Sequence, residues 1–168
     1  PALPRWEAGL AAGGAGIPAY PGADQSHWRA IVVPWLVYRG PVPSITIDVR
    51  HPYTPEQESA LIDAVLAALS DTLGVPARTH NALLQVHAPH RFRPPPDCSA
   101  PERFTNISIH LMTGRSVAAK RRLYAGIVAR LQPLGVPADC VLIRLLEQPP
   151  QNFGVRGGQA LCDVDVGY

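Results

Sequence analysis

The pentapeptide LGVPA occurs twice in the chain, at Leu73–Ala77 and again at Leu134–Ala138. In each copy an apolar pattern with helical spacing precedes the glycine, and a strand-like pattern follows the proline. Glycine is the usual residue at the left-handed position that ends a helix, and a proline just beyond it prevents the helix from resuming. The repetition therefore predicts two copies of one structural unit.

The first unit is predicted to be strand, helix and strand. Isoleucine and valine alternate with polar residues in SITIDV (Ser44–Val49), which is the pattern of a half-buried strand. Thr54, Pro55 and Gln57 have the spacing of an N-cap, a first helical residue and a capping box. A second strand is expected around Ala82–His87.

The second unit repeats this plan, with a strand at Thr105–Leu111, a helix capped by Ser116 and a strand at Cys140–Glu147. Parallel strands joined through a helix cross over right-handed. We therefore expect an α/β fold of two layers, in which tandem β-α-β units form a four-stranded sheet with both helices on one face. Because Leu, Ile and Val are common in the strands, we expect another subunit to cover the open face.

The first part of the chain has a different composition from the rest. Residues 1–42 are rich in Pro, Gly and Ala, which is typical of irregular structure. Within them AIVVPWLVY (Ala30–Tyr38) could be an edge strand, since its proline could not donate to a central ladder. The predicted division is an extension over 1–42 and a domain over 43–168, made of a first unit with linker (43–97) and a second unit with a Gly-rich tail (98–168).

Composition and charge argue against several classes of protein. A formal net charge of +2 is too small to indicate a nucleic-acid or membrane partner, and no apolar run is long enough to span a bilayer. Three widely spaced cysteines without a C-x-x-C pair argue against a disulfide framework and favour a reducing cytoplasm. Cys140 and Cys162, which lie near apolar residues, are expected to be packed thiols.

Two segments of the second unit resemble the tautomerase superfamily: IHLMTGRS (Ile109–Ser116) and PPQNFGVRGGQ (Pro149–Gln159). The resemblance covers about residues 43–168. The layout of two fused, non-identical units is similar to that of malonate semialdehyde decarboxylase and cis-3-chloroacrylic acid dehalogenase. It implies a homotrimer with six repeats in a ring, and an enzyme without a cofactor that acts on a small carboxylate.

The resemblance also implies catalysis by the secondary amine of an amino-terminal proline. The residue that aligns with this proline is Pro43, which is inside the chain, so its nitrogen is an amide without a basic lone pair. The printed chain nevertheless begins with a proline, Pro1, which would carry a free amine if an initiator Met had been removed. One interpretation is that the extension delivers Pro1 to the pocket, and the other is that a proline at this position has no catalytic meaning.

Other candidate site residues follow from the same resemblance. Arg115 matches the turn arginine that binds a substrate carboxylate or carbonyl, and Phe153 matches an aromatic residue of the pocket wall. Arg103 and Arg156 could replace cations that the relatives have and this chain lacks, although a surface or interface position is the more ordinary interpretation of each. Family positions that hold acidic, basic or histidine side chains in various relatives carry other residues here, namely Ser70, Thr79, Asn81, Thr113 and Leu142. No single known activity is therefore transferred.

The histidines suggest a metal site only weakly. His80, His87 and His90 fall near one strand end, but no carboxylate or thiolate stands beside them at ligand spacing. We therefore expect no metal and no cofactor.

We expect an enzyme that carries out enol–keto tautomerisation, hydration or decarboxylation on a small 2-oxo, enol or unsaturated carboxylate, with Pro1 as its amine. The alternative is a family member without proline catalysis, which would be either a diverged biosynthetic enzyme or a non-catalytic binding or assembly protein.

Overall fold

A computed structural model describes residues 43–75, 81–155 and 157–164. These residues belong to the second of two compact units, Tyr38–Tyr168. The predictions made for Pro1, for the rest of the extension, for Thr79 and His80, and for Arg156 lie outside the described residues. The boundary after residue 42 stays a prediction.

The two β-α-β units form the predicted sheet. Its strand order is β2-β1-β3-β4, with β1 parallel to β2, β3 parallel to β4, and the two units joined by antiparallel pairing of β1 with β3. A separate two-stranded ribbon, β5-β6, follows β4. The elements are β1 (Ser44–Val49), α1 (Pro55–Leu73), β2 (Asn81–Val86), β3 (Thr105–Met112), α2 (Val117–Leu131), β4 (Val141–Gln148), β5 (Gly154–Val155) and β6 (Gln159–Ala160).

Local signals in the sequence set the helix ends. Thr54 and Gln57 form the predicted capping box at the start of α1, since each side chain bonds the backbone N–H of the other residue. Gly74 ends α1, and Gly135 ends a short 3-10 turn, Gln132–Leu134, that continues α2. These two glycines of the LGVPA copies have φ of 67° and 84°, which is the left-handed region. In the described part of the chain, neither helix has the length and apolarity that crossing a bilayer requires.

The core lies between the sheet and the two helices. Ile45 and Ile47 of β1 pair directly with Ile109 and Ile107 of β3, and all four side chains are buried against the helical layer. The valine that follows each LGVPA glycine is also buried, so the repeated segment both ends a helix and adds an apolar side chain. The helical residues of this core are Leu61, Val65, Ala68, Leu69, Leu123, Ile127 and Leu131.

The open face of the sheet is more polar at its centre than the sequence analysis predicted. All the isoleucines and valines of the two central strands face the helices, because their alternation places the polar residues on the other side. The centre of the open face therefore carries Ser44, Thr46, Asp48, Asn106, Ser108 and His110. Large exposed apolar side chains on this face are confined to the outer strands, at Leu83, Leu142 and Leu146.

A chain of hydrogen bonds crosses the polar centre of this face. His87 Nε2 lies 2.7 Å from Asp48 Oδ1, and Asn106 Nδ2 lies 3.4 Å from Asp48 Oδ2. Arg144 then donates to Asn106 Oδ1 at 2.9 Å. The aromatic ring of Phe92 packs against the imidazole of His87. Among the residues that the structure describes, no three His, Cys, Asp or Glu side chains come together as metal ligands.

The cysteines follow the prediction only in part. Cys98 and Cys140 are buried in a small cluster with Phe104, but Cys162 is exposed. The expectation of a packed thiol is wrong for Cys162, because it lies in a short turn after β6 whose neighbouring Leu161, and not the cysteine, points into the protein.

Replacing the two repeated glycines tests the helix ends. Gly74→Ala should lower the free energy of unfolding by about 1 kcal/mol, because a Cβ disfavours the left-handed conformation. Gly135→Ala should cost about 2 kcal/mol, because its Cβ would also lie 3.1 Å from Nη1 of Arg103. Urea denaturation measures both values, and Gly154→Ala, where a Cβ meets nothing within 4 Å, is the control. Equal costs at the two sites would show that Arg103 moves aside freely.

Candidate functional site

Four strand ends meet at one edge of the protein. β1 and β2 begin there and β3 and β4 end there, because β1 runs antiparallel to β3. Ser44 pairs with His110, so continuing the register places Pro43 beside Leu111. Leu111 in turn pairs with Glu147 of β4. We call this edge the Pro43 end, and the opposite edge the Tyr53 end.

Pro43 is a buried structural residue at the start of β1. Its carbonyl oxygen accepts a hydrogen bond from the backbone N–H of Asn81 at 3.3 Å, which continues the pairing of β1 with β2. Its nitrogen is an amide, as the sequence requires. Pro43 therefore fixes the geometry of this end but supplies no basic amine while the chain before it is intact.

Arg115 reaches the Pro43 end from the turn between β3 and α2. Gly114 (φ 116°) makes the turn, and Ser116 caps α2 by accepting from the N–H of Ala119. The N–H of Thr113 donates to the carbonyl of Gln148 at 3.0 Å, so the turn is fixed to β4. Arg115 is half-buried, and its Nε is buried with no hydrogen-bond partner within the described ranges. A guanidinium in this state is suited to receive an anionic or carbonyl oxygen.

The same end contains an ion pair that the sequence analysis missed. Lys120 Nζ of α2 contacts Glu147 Oε2 of β4, and each side chain is 23% exposed. The other carboxylate oxygen, Glu147 Oε1, is buried and has no hydrogen-bond partner in the part of the chain that the structure describes. The sequence did indicate that Glu147 is partly buried. Val141, Ile143 and Leu145 alternate along the helix-facing side of β4, and Glu147 is the next residue on that side.

The remaining candidates divide between the two ends. Phe153 follows β4 and is half-buried, and its backbone carbonyl accepts from the N–H of Leu161. It therefore belongs to the segment that leaves the Pro43 end. Arg103 precedes β3 and lies at the Tyr53 end, about 25 Å from the Pro43 end along an eight-residue strand. Within one chain, Arg103 and Arg115 do not share a site.

At the Tyr53 end, Arg103 takes part in a different contact. Its guanidinium lies 5.9 Å from the centre of the Tyr53 ring, which is a cation–π geometry. Tyr53 directly precedes the N-cap of α1, just as Arg115 precedes the N-cap of α2. Burial raises the pKa of Tyr53, and the charge of Arg103 acts against this shift. A cavity of about 300 Å³ adjoins this residue, with Glu56 and Gln57 in its wall.

A second cavity, of about 330 Å³, adjoins Cys98 and Asp139 at the start of β4. The Ser99 hydroxyl donates to Asp139 Oδ1 at 2.8 Å, and hydrogen bonds from Ser99 lower the pKa of Asp139. Burial, together with the neighbouring Cys140 thiol, raises the pKa of Cys98 to about 11. A thiol that stays protonated is a poor nucleophile, so the side chains of this cavity do not form a reactive thiol site.

The sheet order, the paired helices and the arginine turn define a protein of two fused β-α-β units with a polar site at one sheet end. A family profile described as tautomerase enzyme matches residues 79–156. No curated protein matches the chain. The chain is therefore similar to the tautomerase superfamily over these residues, and it has two such units in tandem.

Solved structures show the same fold. An FG41 malonate semialdehyde decarboxylase inhibited by 3-bromopropiolate is 29% identical, with a TM-score of 0.59 over 65% of this chain and 86% of its own. A second malonate semialdehyde decarboxylase, described with its P1A mutant, is 22% identical, with a TM-score of 0.61 over 67% and 91%. Native fused 4-OT is 21% identical, with a TM-score of 0.64 over 72% and 98%.

Thiol labelling tests the placement of the cysteines. At pH 8 a maleimide should label Cys162 of the folded protein first, because it alone among the three thiols is exposed. Cys98 should stay unlabelled under the same conditions, because it is buried and its pKa is raised to about 11, so its thiol stays protonated. Mass spectrometry of tryptic peptides identifies each site, and Cys162→Ser should remove the fast phase. Fast labelling of Cys98 at pH 8 would contradict its burial.

Proposed function

We propose that the protein is an enzyme that binds a small carboxylate with an adjacent keto, enol or unsaturated carbon at the Pro43 end. The observation that carries this proposal is the half-buried Arg115, whose Nε has no hydrogen-bond partner among the described residues. A guanidinium binds a carboxylate through two parallel hydrogen bonds, and it also stabilises negative charge that develops on a carbonyl oxygen. Arg115 is therefore the proposed substrate anchor.

In the first form of the proposal, the catalyst is Pro1, on the condition that no residue precedes it in the mature protein, so that its nitrogen is a free secondary amine. A free α-amine titrates near pH 8, and a nearby guanidinium and an apolar wall both favour its neutral form. Arg115 would supply the charge and Phe153 the wall. Arg156, which follows Phe153 by three positions, is a further candidate for the substrate carboxylate. This form requires the extension to bring Pro1 to the Pro43 end of its own or a neighbouring subunit.

The comparisons support this class of chemistry. The printed descriptions of two similar proteins name a malonate semialdehyde decarboxylase, and one names both decarboxylase and hydratase activities. Fused 4-OT structures are described as symmetric or asymmetric trimers. We propose a homotrimer for this chain too, with the exposed Leu83, Leu142 and Leu146 of the outer strands at subunit contacts.

The second form of the proposal has no amine catalysis. Pro43, which aligns with the family's catalytic proline, is an amide, and Thr113 stands exposed where a second arginine occurs in decarboxylases. The protein would then use Arg115 and other side chains on a different substrate, or bind a ligand or partner without turnover.

Replacing Pro1 separates the two forms. Pro1→Ala should abolish enol–keto turnover of small 2-oxo acids, because a primary amine is not equivalent in basicity or shape to the ring nitrogen. Stopped-flow absorbance at the enol band measures the rate. Borohydride reduction in the presence of a 2-oxo acid, followed by mass spectrometry, should place an adduct on Pro1. Turnover that survives in Pro1→Ala would exclude the first form and leave the second.

Replacing Arg115 tests the anchor that both enzymatic forms share. Arg115→Met should raise KM for a small carboxylate by about 10- to 100-fold, which is the usual contribution of a charge-assisted hydrogen bond. Arg121→Met, at an exposed position on the helix that follows Arg115, is the matched control and should change KM less than twofold. An unchanged KM in Arg115→Met would refute the proposed site.

A further inference from the structure

In the ion pair of Lys120 with Glu147, the lysine binds only one of the two carboxylate oxygens. The ammonium of Lys120 binds Oε2, and both side chains are mostly buried at the Pro43 end. Such a pair persists in a half-buried place only when each charge compensates the other. It keeps a carboxylate on the helix-facing side of β4, at a position that the preceding alternation would assign to an apolar residue.

The second oxygen of Glu147 is the informative atom. Oε1 is buried and no described residue donates a hydrogen bond to it. A buried acceptor without a donor destabilises the folded protein, because the atom has lost its hydrogen bonds to water without replacement. Buried polar atoms that lack a partner therefore call for an explanation, and a bound ligand is one.

Arg115, at the same end of the sheet, has a buried donor that lacks an acceptor among the described residues. Its Nε is a buried donor that no described residue accepts from. The two side chains are linked through the backbone, since Thr113, two residues before Arg115, bonds Gln148, the residue after Glu147. One small molecule that offers an acceptor to Arg115 and a donor to Glu147 would satisfy both atoms.

We propose that Glu147 is a specificity-determining residue that accepts a hydrogen bond from a donor group of the ligand whose carboxylate Arg115 holds. The ligand class is then a 2-hydroxy or enol carboxylate, which carries both groups on adjacent carbons. A plain carboxylate offers Glu147 no donor, and the keto form of the same acid in addition places an acceptor oxygen against an anion. The inference rests on the proposed function, because it requires Arg115 to be the anchor.

Binding of two matched probes tests this preference directly. Lactate and propionate differ only in the 2-hydroxyl group, and both bear the carboxylate that Arg115 would hold. Chemical-shift titration of the full chain should give a dissociation constant about tenfold lower for lactate than for propionate. This comparison needs no variant, so it does not depend on whether a substitution folds.

A double variant then assigns the preference to Glu147. Lys120→Met combined with Glu147→Met removes both charges together and keeps the volume, so no unpaired charge remains buried. The lactate preference should disappear while propionate affinity stays within twofold. The control is Asp71→Asn with Arg130→Met, which removes the ion pair between α1 and α2 and should keep the preference. Thermal melts monitored by circular dichroism establish that each variant is folded.

Arg115→Met distinguishes failure of this inference from failure of the proposed function. It should weaken lactate and propionate alike. If neither probe binds in a way that depends on Arg115, the proposed function is wrong and the role of Glu147 is wrong with it. If both bind through Arg115 without a lactate preference, or if the Lys120–Glu147 double variant keeps that preference, only the role of Glu147 is overturned.

Discussion

The antiparallel pairing of β1 with β3 is the contact on which the rest of the structure depends. It joins two units that each lack a complete core, and it sets Ile45 against Ile109 and Ile47 against Ile107. A shift of β1 by one residue would turn Ile45 and Ile47 away from the helices and break both isoleucine pairs. The same register places Pro43 beside Leu111, and thereby brings the start of the first unit to the arginine turn of the second.

Local chemistry explains which parts of the fold could be predicted from the sequence. The capping box at Thr54, the left-handed glycines and the alternating strands depend on neighbouring residues, and all were predicted. The contact of Lys120 was not predicted, because Arg121 and Arg122, which follow it in the sequence, are exposed and the three basic residues together have the pattern of a solvated helix face. Its contact with Glu147 depends on the rotation of α2 over β4, which no short segment encodes. The polar centre of the open face was missed because the apolar residues were counted over whole strands. Their alternation places them all on the side that faces the helices.

Family resemblance and physical chemistry bear on different parts of the site. The resemblance predicted a role for Arg115, and Arg115 lies at the same end of the sheet as Pro43. Chemistry alone shows that Pro43 cannot act there as an amine in an uncut chain. Arg103 has a position that neither source predicted, above Tyr53, at the place in the first unit that corresponds to Arg115 in the second. The two ends of the sheet thus differ in which segment contributes the arginine.

The hydrogen-bonded row that runs from His87 through Asp48 and Asn106 to Arg144 has a consequence for association. Any surface laid over this face must either leave water beside these groups or replace their remaining bonds, since desolvated charges without partners are costly. Apolar leucines at the margins attract a neighbour, while the row in the middle rejects neighbours of the wrong chemistry. In the proposed trimer, a neighbouring subunit would therefore have to bring polar groups that complement this row.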